Sequence, residues 1–208
     1  DFTPSVSRAC ATYFNPEKEV VSLCYTGNTF INNSSFRGRL KETTQMGVER
    51  MGDDSPEADA EILAMTVECL LATGLTEFQV SVGQVDYYKA IFSQTGMSQE
   101  EEEELRELIS QKNYFGVEEL VKNKNMDKSL ARVLSQLPQM FGSAEILEKA
   151  KSLTDNPQAL KAVARLEEIY ELLKVYGYEK YVTFDFAMLS KYHYYTGIIF
   201  QAYTYGTG

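Results

Sequence analysis

The sequence has few of the residues from which metal sites and disulfide frameworks are built. Its 208 residues include no tryptophan, one histidine (His193) and three cysteines. The cysteines have no CxxC spacing and there is no Cys/His cluster, so no metal site is predicted. An odd number of cysteines is typical of a reducing compartment, and we therefore expect a cytoplasmic protein.

Long apolar runs and an excess of positive charge are also missing. No apolar stretch approaches the roughly 20 residues that cross a bilayer, and no signal peptide is visible, so no membrane partner is expected. The 20 basic and 30 acidic residues give a net charge of −10. Broad nucleic-acid binding requires an excess of Lys and Arg on one face, so a nucleic-acid partner is not expected either.

The totals are those of an ordinary globular protein, with 44% hydrophobic and 24% charged residues. The length allows one sizeable core or two small ones. The sequence starts without a methionine and stops at Gly208 within a strand-and-turn pattern. We therefore expect it to be a piece of a longer protein.

The most informative stretch is a hairpin with a long polar loop, whose strands are predicted at 26–31 and 41–50. Residues two apart on a strand share a face, so Gln45, Gly47 and Glu49 should project to one side. An amide and a carboxylate would then flank a gap without a side chain at Gly47. A small ligand with an ammonium or N–H group could lie across that gap. The alternative is a polar, solvated sheet face.

Periodicity and turn residues divide the rest of the chain into short elements. Strands are predicted at 20–25, 78–83, 181–189 and 196–205, and helices at 3–14, 57–73 and 86–92. Thr3 is predicted as the N-cap of the first helix, with Pro4 at its first position. Residues 94–177 have no convincing strand and are rich in Glu, Lys and Leu. They predict a helical insertion of about 80 residues, the size of a small domain.

Two helices of the insertion are predicted in more detail. Ser98 is predicted to cap the first of them. Asn156 and Pro157 open a longer helix, and its predicted buried face consists of Leu160, Val163, Leu166, Ile169 and Leu173.

An aromatic segment, SKYHYY, lies between the last two predicted strands at residues 190–195. Tyrosines beside a polar sheet could form a wall for a planar ligand, or could simply fill a half-buried sheet edge. His193 could act as a pH switch or general base. The alternative for His193 is a packed or half-exposed sheet residue.

Two motifs in these regions resemble a known family. GRLKETTQMGVERMG, in the hairpin, looks like the hairpin motif of class II aminoacyl-tRNA synthetases, and YYTGIIFQAYTYGTG looks like the histidine-recognition segment of the histidyl branch. The resemblance covers residues 1–92 and 178–208. It implies an α+β fold with an antiparallel sheet flanked by helices and an all-helical insertion. The implied domains are a discontinuous synthetase-like domain, 1–93 with 178–208, and an insertion at 94–177.

The sequence departs from the synthetase pattern at positions that carry chemistry. In the family, the hairpin's first strand ends in Phe-Arg, with a Glu two residues past the Arg. Here the Arg position is Ile31 and the Glu position is Asn33. A second Arg of the family is replaced by Ser190. Losing one preorganised donor of this kind costs about 10²–10³ in rate. The resemblance therefore implies no adenylate chemistry, and we predict no catalytic residue and no cofactor.

The positions that match the family's amino-acid pocket are kept. The resemblance implies a histidine-binding set of Asp1, Thr3, Arg39, Gln45, Glu49, Tyr194 and Tyr195. Asp1, Thr3 and Gln45 match the groups around the ligand ammonium. Glu49 and Tyr195 match the groups that hold the imidazole. A carboxylate facing an imidazole N–H is a charge-assisted contact worth about 1.5–3 kcal/mol.

The hairpin string FINNSSFRGRLKE also resembles the regulatory subunits of ATP phosphoribosyltransferase, which are synthetase paralogues. That resemblance implies assembly with a catalytic phosphoribosyltransferase subunit, feedback sensing of histidine in histidine biosynthesis, and self-association. One alternative is a working histidyl-tRNA synthetase. Another is an unrelated enzyme that uses Glu49 and Asp1 as acid/base carboxylates. No nucleophile, Gly-rich phosphate loop or metal cluster supports the latter.

Overall fold

A computed structural model of the chain describes residues 2–32, 40–124, 126–189 and 195–204. The chain divides into two compact units, Asp1–Ala58 and Asp59–Gly208. The predicted division into a synthetase-like domain, 1–93 with 178–208, and an insertion, 94–177, stays a prediction.

The first unit contains helix α1 (Thr3–Tyr13) and an antiparallel hairpin of β1 (Val21–Phe30) and β2 (Glu42–Met51). The predicted strands at 20–25 and 26–31 are a single continuous strand. Each residue of β1 pairs with one of β2, from Val21 opposite Met51 to Phe30 opposite Glu42. A break in the middle of β1 would leave backbone groups of both strands unpaired, so the pairing keeps the strand continuous.

Helix α1 does not start as predicted. Its N-cap is Phe2, which makes no side-chain capping bond, and Thr3 already lies in the first turn with Pro4. The prediction of Thr3 as the N-cap is therefore wrong. The Thr3 hydroxyl makes a tertiary hydrogen bond, described below.

Helix α2 (Pro56–Ala72) crosses the boundary between the units, and the second unit holds the other elements. In chain order these are β3 (Phe78–Gln84), α3 (Val85–Phe92), α4 (Gln99–Ser110), α5 (Tyr114–Asn123), α6 (Lys128–Gln136), β4 (Phe141–Gly142), α7 (Glu145–Ser152), α8 (Pro157–Tyr176), β5 (Val182–Asp185) and β6 (Ile198–Thr204). The described part of the region predicted as a helical insertion contains α4 to α8, one 3₁₀ turn (Leu137–Gln139) and the two-residue strand β4, joined by short loops.

The sheet of the second unit has the strand order β4–β5–β3–β6. The β3–β6 and β4–β5 pairs are antiparallel, whereas β3 and β5 run parallel. A parallel pair requires a long crossover connection, and the helices between β3 and β5 supply it. The sheet is therefore mixed, while the sequence predicted an antiparallel one.

Strand β5 is shorter than the predicted strand at 181–189. It ends at Asp185, whose Oδ1 accepts a hydrogen bond from the Ala187 N–H at 2.8 Å. This local side-chain contact turns the chain out of the sheet.

The core of the second unit is organised along α8. Val163, Leu166, Ile169 and Leu173 are buried at helical spacing, as predicted, and α8 packs against α3 and β3. Leu160, predicted for the same stripe, is only half-buried. Asn156 caps the helix by accepting bonds from Gln158 and Ala159.

Neither a membrane-spanning helix nor a cluster of metal ligands is found in the described ranges. Among their helices, none combines the length and apolar character needed to cross a bilayer. The same residues contain no group of three or more His, Cys, Asp or Glu side chains arranged to hold a metal ion. Cys10, Cys24 and Cys69 are free thiols.

Leu166 provides a test of the α8 packing. It is 1% exposed, so Leu166→Ala should lower the free energy of unfolding by about 2–5 kcal/mol through lost contacts and the resulting cavity. Val175, in the same helix, is 84% exposed, and Val175→Ala should change stability by no more than about 0.5 kcal/mol. Urea denaturation of both variants measures the difference. Equal losses would contradict the observed orientation of α8.

Candidate ligand-binding site

One face of the hairpin carries the residues singled out from the sequence. Gln45, Gly47 and Glu49 are half-buried, and the intervening Met46 and Val48 are exposed. The three therefore share a face, as predicted. In the register, Gln45 is opposite Gly27, Gly47 is opposite Tyr25, and Glu49 is opposite Leu23. We call the side bearing these six residues the recognition face.

The start of α1 packs on the recognition face. The Thr3 hydroxyl donates a hydrogen bond of 2.6 Å to Glu49 Oε1. The Phe2 ring lies over Gly27, where an added Cβ would be 2.6 Å from the ring. Thr3 and the N-cap residue Phe2 thus fix a carboxylate at one end of the face and cover a glycine near the other.

The predicted gap at Gly47 is not open. A Cβ at Gly47 would lie 2.3 Å from the Tyr25 hydroxyl, so the phenol occupies the space that the missing side chain leaves. The Tyr25 ring in turn packs on Phe2, with the ring centroids 4.9 Å apart. The prediction of an empty gap is wrong because the residue opposite Gly47 is large enough to reach across the strand pair.

Three polar groups on the recognition face have hydrogen-bonding capacity left. In the part of the chain that the structure describes, Glu49 Oε2, the Gln45 side-chain amide and the Tyr25 hydroxyl have no side-chain hydrogen-bond partner. On a strand, Gln45 and Glu49 are about 13 Å apart at Cα, with Tyr25 between them across the pair. The face therefore offers an acceptor, an amide and a phenol along one line.

Arg50 follows Glu49 in the sequence, but its guanidinium pairs with a different carboxylate. Arg50 forms an ion pair with Asp53, with Nη2 to Oδ2 at 2.8 Å. Hydrogen bonds from Ser55 and from the Arg50 guanidinium lower the pKa of Asp53 to about 2. Asp53 is therefore ionised at neutral pH and pairs with the guanidinium.

Tyr195 lies in the second unit, just before β6. Its carbonyl accepts a hydrogen bond of 2.8 Å from Lys89 Nζ, and the side chain is half-exposed. Two residues later, the Gly197 N–H donates to Asp86 Oδ2 at 3.2 Å. Helix α3 therefore anchors the segment that carries Tyr195.

Several predicted residues fall outside the described ranges. These are Asp1, Arg39 and Tyr194 of the predicted binding set, together with Asn33, Ser190 and His193. Ile31 is described. Its N–H donates to the Lys41 carbonyl at 2.8 Å, which extends the hairpin pairing by one step, and its side chain is aliphatic and exposed.

Phe2 and Tyr25 are site residues that the sequence did not single out. Both are aromatic residues that pack over glycines on the recognition face. For Tyr25, a sequence signal does exist. An aromatic residue that pairs with a glycine on the neighbouring strand is expected to pack over it, because the glycine leaves room for the ring. Finding that signal requires the strand register first.

A polar-faced hairpin, a second sheet and a helical insertion together define the catalytic fold of class II aminoacyl-tRNA synthetases. The chain belongs to the histidyl-tRNA synthetase family, whose model matches residues 1–208. Within that family it is similar to the ATP phosphoribosyltransferase regulatory subunits of Acetivibrio thermocellus, at 38% identity, and Clostridium acetobutylicum, at 37%. Both alignments cover 100% of this chain but only 50% and 52% of the relatives, so the chain spans about half their length.

Solved structures agree on the fold. A crystal structure of an ATP phosphoribosyltransferase regulatory subunit/histidyl-tRNA synthetase from Bacillus halodurans matches with a TM-score of 0.88 and 30% identity, covering 99% of this chain and 53% of that one. A chain of the ATP phosphoribosyl transferase (HisG:HisZ) complex from Thermotoga maritima matches with a TM-score of 0.77 and 19% identity, covering 99% and 70%. At 19% identity, the second match concerns the fold alone.

Gly47→Ala tests the packing of the recognition face. The new Cβ would collide with the Tyr25 phenol, and we expect the free energy of unfolding to fall by about 1–3 kcal/mol, the usual cost of overpacking. Gly142→Ala is the matched control, because nothing lies within 4 Å of the Cβ that it adds. In a Tyr25→Ala background the cost of Gly47→Ala should disappear. If urea denaturation shows the same cost in both backgrounds, the phenol is not the obstacle.

Proposed function

We propose that this chain is part of a non-catalytic regulatory subunit of ATP phosphoribosyltransferase that binds histidine on the recognition face. The proposed partner is the catalytic phosphoribosyltransferase subunit, and the proposed setting is the cytoplasm. The relatives that carry this name, at 37–38% identity over the whole of this chain, support the proposal.

The observation that carries the proposal is the Thr3–Glu49 hydrogen bond. It occupies Glu49 Oε1 and holds the carboxylate in one orientation, leaving Oε2 for a ligand. A carboxylate fixed in advance binds an N–H donor without a further ordering cost. An imidazole N–H is such a donor, and the contact is charge-assisted.

The other end of the recognition face fits an amino-acid backbone. The Gln45 side-chain oxygen can accept a hydrogen bond from an ammonium. The Tyr25 ring lies between Gln45 and Glu49 and would form an aromatic floor for a planar side chain. The roles of Asp1, Arg39, Tyr194 and Tyr195 in binding stay predictions from the family resemblance.

Ile31 supports a sensing role over a catalytic one. At the end of β1 an aliphatic side chain takes the place where the family has an arginine on the ATP α-phosphate. It offers no hydrogen bond and no charge to a phosphoryl oxygen. A site that lacks this donor can still hold an imidazole and an ammonium through Glu49 and Gln45, because neither contact needs the arginine.

Regulation would follow from differential binding. Histidine that binds one state of the assembly more tightly shifts the equilibrium towards that state by its difference in affinity. A tenfold preference corresponds to about 1.4 kcal/mol.

Histidine binding can be measured as thermal stabilisation of the full-length protein. A ligand that binds only the folded state adds about 2.7 kcal/mol at 100 times its Kd, so histidine should raise the Tm in a concentration-dependent way. Glu49→Gln replaces a charged acceptor with a neutral one and should weaken histidine binding by at least about tenfold. Thr3→Val should weaken it less, because Glu49 remains but is no longer fixed.

Glu42→Gln is the matched control for Glu49→Gln. It makes the same change on the same strand but on the opposite face, where Glu42 accepts a hydrogen bond from Asn28. Its histidine Kd should equal that of the unmodified protein. Equal weakening by Glu49→Gln and Glu42→Gln, or no Tm shift with histidine, would remove the recognition face as the histidine site.

The partner can be tested by reconstitution. The full-length protein should co-purify with a catalytic ATP phosphoribosyltransferase subunit, and histidine should change the activity of the mixture. Glu49→Gln should retain co-purification but shift the histidine response to at least about tenfold higher concentration. A mixture that responds equally with and without this substitution would place the histidine sensor elsewhere.

A working histidyl-tRNA synthetase is the second candidate, because the family model that matches the whole chain bears that description. Histidine-dependent exchange of pyrophosphate into ATP discriminates the two candidates. We expect no exchange above background, since Ile31 supplies no charge for the α-phosphate. Exchange at synthetase-like rates would favour the second candidate.

A further inference from the structure

Gly27 lies within β1, at a position where the backbone does not require a glycine. Its φ is outside the left-handed region, so any residue could adopt this conformation. Glycine in the interior of a strand weakens the strand and often marks the close approach of another group. The reason for a glycine at this position is therefore steric.

The group that approaches Gly27 is the tip of the Phe2 ring. A Cβ added at Gly27 would lie 2.6 Å from Cζ of the ring, and 3.2 Å and 3.4 Å from its two Cε atoms. The same ring packs on Tyr25, with the ring centroids 4.9 Å apart. We call the contact of the Phe2 ring with Gly27 the Phe2 seat. It can form because position 27 has no side chain.

Phe2 and Thr3 belong to the same helical turn. The Phe2 carbonyl accepts hydrogen bonds from the N–H groups of Ser5, at 2.9 Å, and Val6, at 3.0 Å. The φ and ψ of Phe2, −90° and −20°, are also helical. Because these hydrogen bonds fix the backbone of the turn, the Phe2 seat and the Thr3 hydroxyl are held in a set relation to each other.

The start of α1 is therefore attached to both strands of the hairpin. Phe2 contacts Gly27 on β1, and the Thr3 hydroxyl donates to Glu49 Oε1 on β2 at 2.6 Å. A single hydrogen bond would let the turn pivot, whereas two contacts on two strands fix both its height and its rotation. The seat thus stabilises the orientation in which Thr3 reaches Glu49.

We propose that Phe2 is a positioning residue for histidine binding. Its seat on Gly27 holds the Thr3 hydroxyl against Glu49, and this fixes the carboxylate that receives the imidazole N–H. Phe2 acts through Thr3. The inference rests on the proposed binding of histidine by Glu49, and it adds the contact that orders this carboxylate before the ligand arrives.

Gly27→Ala fills the seat without changing Thr3 or Glu49. The new Cβ displaces the ring, and the start of α1 loses one of its two attachments. Histidine binding to the full-length protein, measured as the Kd by isothermal titration calorimetry, should weaken by about 3- to 10-fold, the equivalent of one hydrogen bond. Because the Cβ meets only the tip of one side chain closely, the Tm without histidine should stay within about 2 °C of the unmodified protein.

Two double variants identify the route of the effect. Phe2→Ala removes the ring that the added Cβ would displace, so in that background Gly27→Ala should change the histidine Kd by less than about twofold. Thr3→Val removes the hydrogen bond that the seat maintains, and Gly27→Ala should again change the Kd by less than about twofold. An alanine that obstructs the ligand directly, or that distorts β1, would weaken binding in every background.

Phe2→Ala alone is a second test, which does not depend on the folding of Gly27→Ala. It removes the seat from the other side and should weaken histidine binding by the same factor of about 3 to 10. The matched control for Gly27→Ala is Gly142→Ala, because nothing lies within 4 Å of the Cβ that it adds. Its histidine Kd should equal that of the unmodified protein.

Weaker binding in both single variants, with no further loss from Gly27→Ala in the Phe2→Ala and Thr3→Val backgrounds, would support the proposal. Equal Kd values for Gly27→Ala and Gly142→Ala would overturn it, and so would an effect of Gly27→Ala that survives in either background. A fall in Tm of more than about 5 °C in both single variants would also overturn it, because the contact would then be required for folding.

Glu49→Gln separates a failure of this inference from a failure of the proposed function. If Glu49→Gln weakens histidine binding while Gly27→Ala and Phe2→Ala do not, Glu49 binds histidine but the Phe2 seat does not position it. If Glu49→Gln has no effect on the Kd, the recognition face is not the histidine site and both proposals fall.

Discussion

The backbone pairing of β1 with β2 decides which side chains the first unit presents. Because successive residues of a strand point to opposite sides, the Tyr25–Gly47 pair places Gln45 and Glu49 on the face that α1 contacts. A slip of β2 by one residue would move Met46 and Val48 to that face and remove Gln45 and Glu49 from it. The Thr3–Glu49 hydrogen bond depends on this register, because Glu49 lies on β2, while Phe2 packs on Tyr25 of β1.

The second unit follows from a different constraint, the parallel pairing of β3 and β5. Such a pair needs a crossover, and the helices from α3 to α8 provide it while burying the apolar face of the sheet. The other face keeps Ser81, Thr183 and Asp185, with the turn after α4 held against β5 by the Lys112–Asp185 ion pair. Lys112 and Phe141, which lie between β3 and β5 in the chain, line a cavity together with these residues.

Local signals predicted much of this architecture. Ser98 and Glu101 form the capping box that starts α4, and the stripe along α8 is buried at the expected spacing. Two predictions from local sequence patterns were wrong. Thr3 matches an N-cap by type but bonds to Glu49, which is far along the chain. The early end of β5 has a local cause instead, because Asp185 accepts a hydrogen bond from the Ala187 N–H two residues later. The family resemblance supplied the identities of candidate binding residues, and only their relation to the hairpin register could be derived from the residues themselves.

The sequence by itself determined the hairpin, the shared face of Gln45, Gly47 and Glu49, the helical insertion and the family, because strand alternation, helix periodicity and motif strings are local properties. Tertiary structure alone decided that Tyr25 fills the space at Gly47, that Thr3 fixes Glu49, and that Ser81 and Thr183 lie side by side on β3 and β5. Each of these depends on which strands pair and in which register. That choice is made by the burial and hydrogen bonding of the whole unit, which no single stretch of sequence encodes.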